Sequence, residues 1–175
     1  MKAAAGPAFG IGVLAAVVIT TTLWLARAVG ITDMNLELLK GALLTGNAGA
    51  MTWAIGLGIH LITGGVLAVV YAAIFETWRR AGWRRGIAIA IPHALLSGIL
   101  LGFLPAIQPA IAEHPALRPA GFLAVNMGWI SVVLFFLLHV IYGAMVGAAY
   151  RVPLPAPADR RPMPVDASSR ARKRH

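Results

Sequence analysis

Residues 122–150 read Phe-Leu-Ala-Val-Asn-Met-Gly-Trp-Ile-Ser-Val-Val-Leu-Phe-Phe-Leu-Leu-His-Val-Ile-Tyr-Gly-Ala-Met-Val-Gly-Ala-Ala-Tyr, a run with no charged side chain. About 20 apolar residues in a helix cross the hydrocarbon of a bilayer. This run, at roughly 29, is long enough to tilt or to project into the interface. Arg151 and Pro153 bound it. Working outward, three more apolar blocks occur at about 7–26, 51–75 and 87–107. The first is closed by Trp24 and Arg27 without a small-residue cleavage pattern, so it reads as a retained helix. The second ends at Glu76 and Trp78; the third starts after Trp83, Arg84 and Arg85 and stops at Pro109.

These blocks dictate an all-α, polytopic transmembrane four-helix bundle over residues 1–150. Barrel strands would alternate over short segments, whereas these runs are continuous and rich in Leu, Ala and Ile. A helix also satisfies its own backbone hydrogen bonds where the solvent offers none. The composition agrees, with 59% hydrophobic and only 12% charged residues, about half the charged fraction of a soluble domain. The absence of cysteine excludes disulfides, iron–sulfur clusters and cysteine-ligated zinc.

Charge sets the orientation. Lys2, Arg79, Arg80, Arg84, Arg85, Arg151, Arg160, Arg161, Arg170, Arg172, Lys173 and Arg174 fall on one side, and only Arg27, Lys40 and Arg118 on the other. The positive-inside rule then places both termini in the cytoplasm. The net charge of +9 is an orientation signal and calls for no nucleic acid. Residues 151–175 are basic and proline-rich without an apolar pattern, which predicts a disordered cytoplasmic tail able to hold anionic lipid headgroups.

In the first outer loop, Thr32 or Asp33 can cap a short helix whose Leu36, Leu39 and Leu43 would lie flat on the outer membrane surface. In the second, Pro109, Pro115 and Pro119 forbid a regular helix, and His114 reads as a solvated loop residue. No acidic residue is expected within the hydrocarbon, which argues against a carboxylate relay. Ser97 and Ser131 lack a catalytic partner set, and Thr20, Thr21 and Thr22 are expected to bond back to their own helix.

An internal match relates the second and fourth blocks. His60, Gly64 and Tyr71 recur as His139, Gly143 and Tyr150, all displaced by the same 79 positions. Two parallel-repeated helical hairpins would explain this. Gly64, Gly98, Gly102, Gly143 and Gly147 are the candidate packing positions, and Tyr71 and Tyr150 read as interfacial anchors. His60, His93 and His139 lie well inside their spans, where an ionisable residue marks a functional candidate. His93 and His139 fall at one depth on neighbouring helices. They could ligate haem b or a transition metal, with His60 as a third ligand, or stay neutral and bond within the bundle.

The chain resembles a family of small uncharacterised bacterial four-span membrane proteins. The resemblance is carried by Asp33-Met34, by Gly58-Ile-His60-Leu-Ile-Thr-Gly64, and by Leu138-His139-Val-Ile-Tyr-Gly143-Ala-Met-Val-Gly147-Ala-Ala-Tyr150. It implies a multi-pass protein of the bacterial plasma membrane and carries no activity with it. The principal expectation is a non-enzymatic structural, accessory or assembly subunit, paired with a membrane-protein partner or with itself. The alternatives are a haem or metal protein using the three histidines, and a small transporter or lipid-binding protein with a groove between the hairpins.

Overall fold

The computed structural model describes residues 4–153; the reading of the basic tail therefore lies almost wholly outside the described residues. The elements in order are α1 (Ala5–Ala28), α2 (Leu36–Thr45), α3 (Ala50–Thr77), α4 (Trp83–Ile107), α5 (Ala110–Glu113), a 3-10 segment (Phe122–Met127) and α6 (Trp129–Ala149). No strand occurs among the described residues. The helices α1, α3, α4 and α6 are each long and apolar enough to cross a membrane. The protein is thus a multi-pass membrane protein built as an all-α four-helix bundle. Its outward faces carry exposed Leu14, Val18, Ile62, Val66, Leu95 and Val133, the side chains that lipid solvates and water would not.

The spanning helices pair as two antiparallel hairpins, each zipped along small residues. In the first, Gly12 of α1 lies against Gly64 and Ala68 of α3, and Ala16 lies against Gly64. In the second, Gly86 and Ala90 of α4 meet Gly143 of α6, and Gly82 meets Gly147. Small residues let backbones approach closely, which is how helices gain packing where lipid supplies no hydrophobic drive between them. The hairpins join mainly through α1 against α6, while α3 and α4 barely touch. The bundle is therefore closed on three sides and open between α3 and α4.

Three expectations change in the structure. The block at 122–150 is not one tilted helix. Leu123 and Ala124 adopt positive φ angles, and Gly128, at φ 88°, turns the chain into α6. The residues beyond one membrane thickness fold back on α4 instead, where Phe122 covers Gly102 and Leu123 covers Gly98. Those two glycines thus receive a loop segment and not a spanning helix. The tyrosines also move. Tyr71 is buried against Phe75, Tyr142 and His93. The hydroxyl of Tyr150 donates to Glu76 at 2.5 Å, tying the end of α6 to the end of α3. Neither ring is a free interfacial anchor.

The largest change concerns α2. It does not lie flat on a surface but packs lengthwise on the start of α3. Gly41 abuts Thr52, and Gly56 abuts the Glu37 carbonyl. Since residue numbers rise along α2 as they fall along α3, its N-terminus lies deeper in the bundle than its C-terminus. Gly56 is about 9 Å along α3 from Ala50 at 1.5 Å per residue, so the chain after α1 dips inward and α2 climbs back out. Such a re-entrant piece is tolerated only where protein buries it or it lines a cavity. Both conditions hold here, because Leu36, Leu39 and Ala42 are buried and Leu36 and Lys40 border a cavity. Its cap is Asn35, whose side chain accepts from the Leu38 amide at 3.1 Å. Thr32 instead accepts from the Met34 amide at 3.0 Å and bonds Ser131 of α6 at 2.6 Å, while Ser131 donates to the Met127 carbonyl.

Candidate functional site

The depth at which a helix holds a side chain follows from its register, and its direction from the tilt of the Cα–Cβ bond toward the helix N-terminus. On α2 that tilt points inward. Lys40, read from the sequence as an outer-loop cation, therefore reaches down, and its Nζ hydrogen-bonds Nδ1 of His60. His60 lies about 15 Å along α3 from Ala50. Because Nδ1 accepts from an ammonium, the imidazole is the neutral tautomer with its proton on Nε2; that nitrogen is buried and meets no acceptor. Burial pushes the Lys40 ammonium down to about 8, while the nearby Glu37 carboxylate acts in the other direction.

Glu37, one turn before Lys40 and read from the sequence as an outer-loop residue, also lies inside the protein. It is 1% exposed. Thr20 donates to its Oε1 at 2.9 Å, and the Arg27 guanidinium stands 3.5 Å from Oε2. Arg27 also donates to the Met34 carbonyl at 3.2 Å. Thr20 is thus not spent on its own helix, whereas Thr22 is, donating to the Val18 carbonyl at 2.8 Å. Glu37, Thr20 and Arg27 together anchor the inner end of α2 to α1 and leave Lys40 with no carboxylate within ion-pair distance among the described residues.

His93 and His139 do come together, as their common depth predicts. Their ring centroids are 4.9 Å apart, edge to face. His139 Nδ1 is 2.7 Å from the Phe135 carbonyl, so it carries the proton and leaves Nε2 as a lone pair. His93 Nδ1 shares a hydrogen bond with the Tyr71 hydroxyl at 3.1 Å. His60 is drawn away to Lys40.

This arrangement does not fit a bis-histidine haem. Such a site would hold the macrocycle between the two imidazoles, and two rings in direct contact leave no gap for it. The glycines that could clear a macrocycle are already covered: Gly64 by Ala16, Gly98 by Leu123 and Gly143 by Gly86. Among the described residues no group of three His, Asp or Glu side chains converges as a metal site would require.

No family model, curated protein or solved structure matches the chain.

What the three histidines do share is a cavity of about 370 Å³. All four spanning helices and α2 contribute to its wall, and Lys40, His60, His93, His139, Ser97 and Tyr142 supply its polar groups. Tyr142 donates to the Gly64 carbonyl at 2.5 Å, a bond between the two hairpins that closes one side. The remaining lining is aliphatic, and Thr63 of α3 with Leu96 and Leu100 of α4 are exposed at its edge. The mouth therefore opens sideways between α3 and α4, onto the face that meets lipid.

The sequence singled out the histidines and the packing glycines but missed Lys40, Glu37 and Tyr142. A signal for the first two was present. Met34–Thr45 holds only two charges, Glu37 and Lys40, three positions apart amid leucines, too apolar a segment for a loop in water.

Proposed function

We propose that the protein binds an amphiphile taken laterally from the bilayer, with its apolar part in the cavity between the hairpins. The observation that carries this reading is the side mouth between α3 and α4 leading to an apolar chamber with a small polar cluster. Binding sites commonly have this form, mostly apolar walls around a few placed polar groups. Glycine packing accounts for the two hairpin seams, as a purely structural or assembly subunit would require. It gives no task to a lysine and three histidines lining one cavity, and such groups are costly inside a membrane.

The test is photo-crosslinking in nanodiscs of zwitterionic lipid with a diazirine-bearing fatty alcohol. Labelling of the wall near Leu101 and Leu104 is expected to saturate, while labelling of the outward Leu14 and Val133 rises linearly. Leu100→Trp, which places an indole in the mouth, is expected to remove at least 90% of the saturable part and to leave the linear part. Labelling of the cavity wall that never saturates, or that ignores the indole, would overturn the reading.

The uneven distribution of arginine supports cytoplasmic termini, and the family resemblance supports a bacterial plasma membrane. The lack of native cysteine makes single-cysteine labelling clean. Cysteine at position 118 is expected to react with an impermeant maleimide in intact cells, and cysteine at position 79 only after permeabilisation. The reverse pattern would invert the topology. The arginines and the lysine of residues 151–175 support a contact with anionic headgroups on that same side.

A further inference from the structure

Lys40 is the one charged group on the cavity wall. An ammonium has three donors, and His60 Nδ1 takes one of them. The others have no partner among the described residues. The carboxylate nearest in sequence, Glu37, takes a hydrogen bond from Thr20 and an ion pair from Arg27, its Oε2 accepts no hydrogen bond, and it forms no ion pair with Lys40. A half-buried cation that forms no ion pair among the described residues is a costly feature, and an anion brought by the ligand would reduce that cost.

The rest of the polar lining narrows the charge of that anion. Tyr142 spends its proton on the Gly64 carbonyl. The Tyr71 hydroxyl and His93 Nδ1 are engaged with each other. His139 presents a lone pair at Nε2, which repels an anion and does not bind it. The chamber thus offers one positive charge. A singly charged carboxylate matches it, whereas a phosphate dianion would leave one negative charge uncompensated in an apolar space.

We infer that the cavity takes a single-chain carboxylic acid, its carboxylate on Lys40 and its alkyl chain along the aliphatic wall toward the α3–α4 mouth. This rests on the amphiphile-binding reading and specifies its headgroup. His60 is a positioning residue, holding the ammonium inside the cavity and not against Glu37.

The experiment compares diazirine-bearing C16 alcohol, carboxylic acid and monoalkyl phosphate in the same zwitterionic nanodiscs, using the full chain. The acid is expected to half-saturate the cavity at a concentration at least tenfold below that of the alcohol. Lys40→Met is expected to bring the half-saturation concentrations of acid and alcohol together, while Lys40→Arg retains most of the difference. His60→Gln, which leaves the lysine unsubstituted, guards against loss of folding in the methionine variant and is expected to lower the preference by about threefold or more. Equal saturation by acid and alcohol in the unsubstituted protein would overturn the carboxylate assignment while leaving the amphiphile reading standing. A phosphate that outcompetes the acid would overturn it as well. Failure of all three probes to saturate would overturn both.

Discussion

Replacing Gly143 by alanine is expected to destabilise the protein, while the same replacement at Gly58 or Gly10 is expected to be neutral or stabilising. All three lie inside spanning helices, where alanine gains up to about 1 kcal/mol over glycine from backbone entropy alone. What differs is the space. A methyl group at Gly143 would overlap the Gly86 carbonyl and the Ala90 methyl, whereas at Gly58 and Gly10 it meets nothing within 4 Å. Backbone cannot rotate away as a side chain can, so α4 and α6 must separate along the whole seam. Overpacking of this kind costs about 1–3 kcal/mol, and Gly143→Leu should lie at or beyond the upper end. Gly86→Ala tests the same contact from the other helix, because its methyl would overlap the Gly143 carbonyl. Resistance to SDS in mixed micelles, followed by retention of a single size-exclusion peak after heating, measures the difference. Equal tolerance at 143 and 58 would mean that the glycine seam does not hold the second hairpin together.

The sequence was most legible where a single physical signal acted alone. Four apolar runs announce four helices because desolvation in lipid leaves the backbone no other choice, and α1, α3 and α4 begin and end close to the bounds of their blocks. Gly64, Gly143 and Gly147 were legible as packing positions for the same reason. Legibility failed where two signals had to be combined. Length and hydropathy made 122–150 one block, but Gly128 stands inside it and the chain turns there. Glu37 and Lys40 looked like loop charges, because an isolated charge in a sequence carries no mark of whether water or a partner satisfies it. Their partners lie 17 and 20 positions away, in Thr20 and His60, beyond the reach of any local pattern. The histidine cluster was half legible: equal depth brought His93 and His139 together, but nothing in their spacing revealed that His60 would be turned toward a lysine.

Glu37→Leu is expected to release α2 from the bundle and to cost about 3–5 kcal/mol, the penalty for breaking a buried ion pair by removing one partner. The replacement leaves the Thr20 hydroxyl without its acceptor and leaves Arg27, whose side chain is only 17% exposed, with the Met34 carbonyl alone. Removing both charges is a different matter. The double variant Arg27→Met, Glu37→Leu takes away the orphaned cation and fills the space with apolar atoms, so most of the loss should be recovered. Glu37→Gln separates hydrogen bonding from charge, since its amide oxygen still accepts from Thr20 while the ion pair is gone. Because α2 is bound along one side of α3, its release would expose it without unfolding the four spans. A cysteine placed at Leu39, which is 3% exposed, should accordingly become reactive to an impermeant maleimide in the Glu37→Leu background and stay protected in the double variant. If the single and double variants proved equally unstable, the ion pair would not be what holds α2. The weight would then fall on the close contacts of Gly41 with Thr52 and of Gly56 with Glu37, which depend on shape and not on charge.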